Sequence, residues 1–290
     1  MNTEKEKRAI KILQQFEPQT EPYYLCYSGG KDSDTIKLLA GLAGVKFEAV
    51  HNLTTADAPE TVYYIRSQSD VRIDRPNMTM WDLIPKKKIP PTRIIRYCCE
   101  VLKERGGQGR VKITGVRWAE SPARRERADV ATIIGKPKAT QKLANELGVD
   151  YRVNKQGGLV LSNDNDEAKK LIEGCYRKTP TAINPIVDWT DADVWEFLKY
   201  YGCEANPLYQ CGFKRVGCIG CPMAGKAERK REFALYPKFR ANYVAAFDRM
   251  VTAREAAGLD NKNSWRDGES VMRWWLEDDP NQITFEDLGI

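Results

Sequence analysis

The sequence predicts an α/β protein, a Rossmann-like parallel sheet flanked by helices, with a cysteine-rich segment and a helical C-terminal region behind it. Three observations predict this class. Short apolar runs alternate with amphipathic stretches through the first part of the chain. A glycine pair, Gly29-Gly30, separates the first apolar run from the first helical stretch that follows it. Val111-Lys112-Ile113-Thr114-Gly115-Val116 then repeats the strand pattern with clear alternation. Strands that alternate with helices build a parallel sheet covered on both faces.

The elements follow in order. Residues 4–16 carry Ile10, Ile12 and Leu13 on one side and read as an amphipathic helix. Tyr23-Tyr24-Leu25-Cys26-Tyr27 is a short apolar run that ends at glycine, the mark of a buried strand. Asp34 to Leu42 reads as a helix, Val45 to Val50 as a second strand, and Pro59 opens another helix at the one turn that tolerates proline. Val71-Arg72-Ile73 is a third strand and Val111 to Val116 a fourth. From about Ala128 to Asp166 polar residues and Gly157-Gly158 dominate, so a flap or small hairpin insertion is expected there. Thr190 caps a helix whose first turn holds Asp191 and Asp193. Residues 202–225 are rich in glycine and cysteine, 226–257 are helical, and a last helix runs from Arg266 to Glu277. The expected division is a nucleotide-binding domain over 1–225, with the flap at 128–166, and a helical extension over 226–290. Trp189, Trp195, Trp265, Trp274 and Trp275 are expected in the core, because aromatic residues at helical spacing are core more often than ligand platforms.

At 290 residues the chain can bury a substantial core. Its 42% hydrophobic and 30% charged residues are a globular balance. No apolar run reaches membrane-spanning length, and the N-terminus lacks the apolar centre of a secretory signal, so a cytoplasmic location without membrane attachment is expected. The net charge of +6 suits an anionic ligand and permits nucleic acid without demanding it. Eight cysteines and one histidine, His51, mean that any metal cluster is thiolate-rich.

The loop Ser28-Gly29-Gly30-Lys31-Asp32-Ser33 stands at the end of the first strand, where open α/β sheets bind ligands. Two glycines let the backbone approach an anion, and N–H groups opening the next helix face it. Lys31 adds a point charge, Ser28 and Ser33 add hydroxyl donors, and Asp32 orients the loop or helps hold a magnesium ion. The spacing is not that of the P-loop. The bland alternative is an ordinary glycine turn. Arg117 and Arg124 follow the fourth strand and suit bidentate phosphate contact, whereas Arg125 and Arg127 read as a solvated helix face. His51, at the end of the second strand, reads as packing.

The loop resembles the pyrophosphate-loop motif of adenine-nucleotide alpha-hydrolases, and the chain is similar more closely to the phosphoadenylyl-sulfate reductase family in its broad sense. Further segments carry the resemblance: Arg96-Tyr97-Cys98-Cys99; Thr114-Gly115-Val116-Arg117 with Glu120, Ser121 and Arg124; Asn184-Pro185-Ile186 with Trp189, Thr190 and Asp193-Val194-Trp195; and Gly217-Cys218-Ile219-Gly220-Cys221-Pro222. They span residues 23 to about 225. The resemblance implies that Ser28 to Ser33, Gly115, Arg117 and Arg124 bind the nucleotide, with Lys31, Asp32 and Arg117 in the chemistry. It also implies a 4Fe–4S cluster on Cys98, Cys99, Cys218 and Cys221, with zinc as the alternative. A rival ligand set combines Cys203 and Cys211 with Cys218 and Cys221, since adjacent cysteines are awkward ligands for one centre. Cys26 and Cys175 read as structural.

Two reactions compete. In one, ATP with Mg2+ adenylates an acceptor with release of pyrophosphate, in the service of sulfur transfer; the partners are then ATP, a sulfur-donor protein and an acceptor such as a nucleic acid. In the other, the chain reduces adenylyl or phosphoadenylyl sulfate, which needs a cysteine nucleophile. Family reductases carry it in a C-terminal Glu-Cys-Gly motif and usually have a degenerate loop. This sequence keeps the loop intact, has no cysteine after Cys221 and ends Glu286-Asp287-Leu288-Gly289-Ile290, which favours the ATP reaction. A non-catalytic nucleotide- or RNA-binding module is the third reading.

Overall fold

A computed structural model describes residues 3–135, 137–259, 261 and 265–277. The described residues form two compact units, those within 1–51, 59–74 and 106–216 and those within 52–58, 75–105 and 217–290. Neither unit is a continuous stretch of chain: residues 75–105 belong with the C-terminal part.

Among the described residues the strands lie in the first unit, one of them, Phe47–Asn52, running one residue past its border. In chain order its elements are α1 (Thr3–Gln15), β1 (Tyr23–Cys26), α2 (Lys31–Leu42), β2 (Phe47–Asn52), α3 (Pro59–Arg66) and β3 (Val71–Asp74). After the excursion into the second unit, which carries α4 (Met80–Lys87) and α5 (Tyr97–Leu102), come β4 (Val111–Ile113), α6 (Pro122–Arg127), β5 (Ala131–Ile133) and α7 (Lys138–Glu146). Then follow β6 (Arg152–Val153), β7 (Leu159–Leu161), α8 (Asp166–Cys175), β8 (Thr181–Ile183) and α9 (Asp191–Tyr200). The eight strands lie in the order β3-β2-β1-β4-β8-β5-β7-β6.

The sheet is mixed rather than wholly parallel. β1 pairs in parallel with β2, Cys26 opposite Val50, and with β4, Leu25 opposite Ile113; β4 pairs in parallel with β8. β5 runs antiparallel to β8 and to β7, and β6 antiparallel to β7. The segment expected as a flap or hairpin therefore supplies an antiparallel wing of the sheet. Its strands are two or three residues long, too short to show a period in sequence. β1, β4 and β8 are buried because both faces are covered: Tyr23, Leu25, Val111, Ile113 and Ile183 are at most 1% exposed. Each such aliphatic side chain contributes roughly 1.5–3 kcal/mol by leaving water.

This order places the loop after β1. The chain fills one side of β1 with β2 and β3, then crosses to the other side with β4. The carboxyl end of β1 is thus a switch point, where a crevice opens in such sheets.

The second unit is helical. Its last three helices are α10 (Lys226–Leu235), α11 (Pro237–Glu255) and α12 (Gly268–Leu276). α11 packs on α4 and α12, and its Tyr243 lies 5.0 Å from both Trp81 and Trp275 between ring centroids. Trp265, Trp274 and Trp275 are core residues of this unit, and Trp189 of the first. Trp195 is not: it is 38% exposed and packs edge-on against Tyr209. No helix of the described residues is long and apolar enough to cross a membrane.

Candidate functional site

β1 delivers the chain to Ser28 and α2 starts at Lys31, so the glycine pair makes the whole turn. Gly29 has φ +73°, and a Cβ there would stand 2.9 Å from the Ile65 side chain, so only glycine fits. Asn206 fixes this turn by donating to the Gly29 carbonyl at 3.0 Å. Ser33 closes it: its hydroxyl accepts from the Gly30 N–H at 3.1 Å, and Ser28 lies 3.3 Å from it. The Lys31 N–H donates to the Tyr209 hydroxyl at 2.9 Å.

Four charged side chains meet at the start of α2. The Lys31 ammonium lies 3.3 Å from both Asp32 and Asp191. The Arg117 guanidinium, 2% exposed, binds Asp32 through Nε at 2.7 Å and Asp191 through Nη2 at 2.5 Å. Its Nη1 donates to the Trp189 carbonyl at 3.2 Å. Two cations and two carboxylates thus alternate in a closed, neutral ring. Desolvation works against charge in Asp191, but the Arg117 hydrogen bond and the Lys31 charge hold its carboxyl below the usual range. Asp191 reaches the ring because Thr190 caps α9, accepting from the Asp193 N–H at 3.2 Å while Asp193 accepts from Thr190 at 2.7 Å.

The loop residues Ser28, Gly29, Gly30, Lys31, Asp32 and Ser33 are therefore brought together with Arg117. Gly115 joins them by close approach, since a Cβ there would sit 3.0 Å from that of Asp32. Arg124 lies on the exposed face of α6 and pairs with Glu120 at 3.0 Å. Burial, with Asp32 adding to it, raises the Glu120 carboxyl against the opposing charges of Arg124, Arg117 and Lys31, so this pair borders the ring. Tyr209, Asn206 and Asp191 hold the loop and the ring, and sequence reading missed them. Asp191 was visible only as an acidic first-turn residue, and Tyr209 carried no signal.

Beneath the loop, Asp34 is 2% exposed, and its Oδ1 accepts from the Tyr27 phenol at 2.5 Å. Burial, opposed by hydrogen bonds from Tyr27 and Tyr64, raises its carboxyl from 3.8 to about 6. The sign follows by linkage. The unfolded chain loses this proton near pH 4 and the folded chain near pH 6, so stability falls across that window and stays lower above it. Two units correspond to roughly 3 kcal/mol. Asp34→Asn is therefore expected to stabilise the fold at pH 7.5 by on the order of 1–3 kcal/mol, and to lose that advantage at pH 4. Urea midpoints at the two pH values check this; equal or opposite shifts would refute it. His51, also buried, sets its Nδ1 3.0 Å from the Tyr27 carbonyl, as packing requires.

The second unit gathers four cysteines. Cys218, Ile219, Gly220 and Cys221 form a turn in which the Cys221 N–H donates to the Cys218 carbonyl at 3.2 Å. Three groups pin it. Cys218 pairs with Asp57 in an isolated antiparallel bridge, Gly220 N–H donates to Glu232 at 2.7 Å, and the Tyr243 hydroxyl donates to the Ile219 carbonyl at 3.0 Å. The Cys218 sulfur lies 3.3 Å from the Thr54 hydroxyl. Cys98 and Cys99 lie in the first turn of α5, and each thiol shifts the other through a side-chain hydrogen bond. The Cys98 thiol is pushed up by that bond, by burial and by the negative charge of Cys99, Cys218 and Cys221. Cys99 is pushed down, first by the Cys98 bond and then, against desolvation, by Arg96. Burial raises the Cys218 thiol, opposed by the nearby Lys103 ammonium. The charges of Cys99, Cys218 and Cys221 all act on Cys98. As placed, no group of three or more His, Cys, Asp or Glu among the described residues is close enough to hold a metal ion. The chemistry of the donor set, four thiols flanked by Arg96 and Lys103, fits a thiophilic metal centre that carries net negative charge.

Cys203 and Cys211 of the rival set belong to the first unit, and Cys218 and Cys221 to the second. Cys26 and Cys175 also lie in the first unit, where burial pushes each thiol up to about 11. Such thiols are inert near neutral pH.

The family model described as "Phosphoadenosine phosphosulfate reductase domain" matches residues 22–224. An uncharacterised 37.8 kDa protein of Escherichia phage 186 is 43% identical over 74 residues, covering 26% of this chain and 22% of the phage protein. An uncharacterised protein of Methanocaldococcus jannaschii is 25% identical over 265 residues, covering 84% of this chain and 53% of the archaeal one. The chain thus spans about a fifth and about half of these relatives' own lengths. Among solved structures, phosphoadenylyl-sulfate reductase from Candida auris, in a phosphate complex, is similar with a TM-score of 0.43 and 14% identity, covering 72% of this chain and 87% of that one.

Proposed function

We propose that this chain, which belongs to the phosphoadenosine phosphosulfate reductase domain family, is an ATP pyrophosphatase that adenylates an acceptor for sulfur transfer. The observation that carries the reading is the ring of Lys31, Asp32, Arg117 and Asp191 at the mouth of an intact glycine loop. The loop's N–H groups and the N-terminus of α2 attract the polyphosphate. Lys31 is held at the helix start by carboxylates on either side, ready to turn its charge onto a phosphate oxygen. Asp32 and Asp191 supply the hard oxygens that would hold Mg2+ with the nucleotide. Arg117 has its donors on protein groups, so it is a positioning residue that fixes both carboxylates.

The reaction balances simply. An acceptor oxygen attacks the α-phosphorus, the bond from that phosphorus to the bridging oxygen breaks, and pyrophosphate leaves with both electrons of that bond. The adenylated acceptor is then open to a sulfur nucleophile, which displaces AMP. Catalysis is positioning and charge stabilisation. Cys98, Cys99, Cys218 and Cys221 would hold a 4Fe–4S cluster, which when bound supplies a site for sulfur or electrons. A nucleic-acid acceptor and a sulfur-donor protein are the partners this reading expects.

The test is anaerobic incubation of brown, iron-loaded protein with magnesium ATP and candidate acceptors. Pyrophosphate and AMP, free or acceptor-linked, are expected in equal amounts. Release of ADP and phosphate, or reduction of adenylyl sulfate by a protein inert towards ATP, would overturn the reading.

A further inference from the structure

The turn from Asn206 to Tyr209 is fastened to the glycine loop at two points, both inside the first unit. Asn206 is fully buried, and its side-chain amide donates to the Gly29 carbonyl at 3.0 Å and to the Thr61 hydroxyl at 3.2 Å. Its main-chain carbonyl accepts from the Tyr209 N–H at 3.1 Å, which closes a short helical turn over Pro207–Tyr209. The Tyr209 ring stands edge-on to Trp195, with centroids 4.9 Å apart and planes at 88°. Its hydroxyl oxygen then accepts from the Lys31 N–H at 2.9 Å. Gly30 makes room for this approach. A Cβ there would lie 3.2 Å from the Tyr209 hydroxyl and 3.5 Å from the Val216 side chain. Its φ of −106° suits any residue, so space selects glycine at this position.

Lys31 is the first residue of α2, and its N–H is one of the donors that a helix leaves without an internal partner. Tyr209 takes up that donor, yet a phenol also has a hydrogen of its own to give. Among the described residues nothing accepts it. The carboxylates around it are engaged elsewhere: Asp32 and Asp191 by Lys31 and Arg117, and Asp34 by Tyr27. Burial raises the phenol well above its usual range, the Lys31 bond opposes this, and the charges of Asp32, Asp34 and Asp191 add to it. The hydroxyl therefore keeps its proton at neutral pH.

We propose that Tyr209 is a substrate-contacting residue, whose hydroxyl donates to a phosphate oxygen of the polyphosphate seated on the glycine loop. The proposal rests on the reading of that loop as an ATP site. Accepting from the Lys31 N–H polarises the O–H group, since linked hydrogen bonds strengthen one another. The positive end of α2 is thus carried one group outward, towards the anion. Tyr209 supplies a neutral donor where Lys31 supplies a charge. Trp195 is a positioning residue, because its indole edge sets the phenol ring.

The experiment uses full-length, metal-loaded protein, wild type and Tyr209→Phe, with a thermal melt of each. Phenylalanine keeps the ring against Trp195 and removes only the hydroxyl. Calorimetry measures magnesium ATP and magnesium pyrophosphate, and displacement of bound ATP measures adenosine. ATP and pyrophosphate are expected to bind roughly tenfold or more weakly to Tyr209→Phe, the loss of one hydrogen bond to a charged oxygen, with adenosine unchanged. Trp195→Leu keeps the hydroxyl but frees the ring. It is expected to weaken ATP and pyrophosphate by less, and to add little when combined with Tyr209→Phe. Trp195 is exposed, so this variant keeps the test open should Tyr209→Phe fail to fold. Unchanged affinity for ATP and pyrophosphate, or an equal loss for adenosine, would reduce Tyr209 to a cap on the Lys31 N–H. Either result overturns the proposal and leaves the ATP reading standing. Wild-type protein that binds neither ATP nor pyrophosphate overturns both.

Discussion

Lys31→Met is expected to lower kcat/KM for pyrophosphate release from magnesium ATP by on the order of 100- to 1000-fold. The magnitude is that of removing one preorganised charge from a transition state that gathers negative charge on the leaving pyrophosphate. The Lys31 side chain is 7% exposed and sits 3.3 Å from each of two carboxylates, so its ammonium costs little to orient when substrate arrives. Methionine keeps the length and apolar stem but removes the charge. Asp32 and Asp191 then keep only Arg117 as a cation, and the ring's net charge changes from zero to −1, which repels the polyphosphate. Steady-state kinetics with ATP varied at saturating magnesium check this, with a melt to show that the fold persists. A variant with unchanged kcat/KM would remove Lys31 from the mechanism. The same ring makes a second distinction. Arg117→Lys keeps the charge but cannot bind Asp32, Asp191 and the Trp189 carbonyl together, so it is expected to raise the magnesium concentration needed for half-maximal activity more than it weakens ATP affinity.

Cys218→Ser is expected to abolish the iron centre. Cys218 is buried, fixed by the bridge to Asp57 and lying beside the Thr54 hydroxyl. Serine is nearly isosteric, but its alkoxide is a hard ligand and a poor one for iron–sulfur chemistry. Anaerobically reconstituted wild-type protein is expected to hold about four irons per chain and absorb near 400 nm. The variant is expected to hold less than one. Cys175→Ser, in the first unit, leaves iron unchanged if the four second-unit thiols are the ligands, and so do Cys203→Ser and Cys211→Ser. Loss of iron with Cys203→Ser or Cys211→Ser, and its retention with Cys98→Ser and Cys99→Ser, would reassign the centre to the rival set. A colourless protein binding one zinc would keep the thiolate site and discard the cluster.

The opening βαβ half was legible because its signals are local. The apolar run Tyr23 to Cys26, the glycine turn and the Thr190 cap each act within a few residues, and each lies where the sequence places it. What escaped depends on contacts between distant segments. The antiparallel strands β5, β6 and β7 carry too few residues to show alternation, and their register is set by the sheet they join. Arg117 read as a phosphate ligand from its type and place, but Asp191 comes from a helix far along the chain and takes one of its donors. Tyr209 is held against the Lys31 N–H in the fold, and nothing in the Asn206-Pro207 turn announces that. The cysteine pairs are far apart in sequence and belong to one unit only because residues 75–105 pack with the C-terminal helices.

Calorimetric titration of magnesium ATP into intact, metal-loaded protein tests the central claim most directly. One saturable site per chain, weakened at least tenfold when Lys31→Met and Ser33→Ala are combined, is the predicted result. Heat indistinguishable from dilution, for ATP and for every adenylyl nucleotide tried, would contradict it.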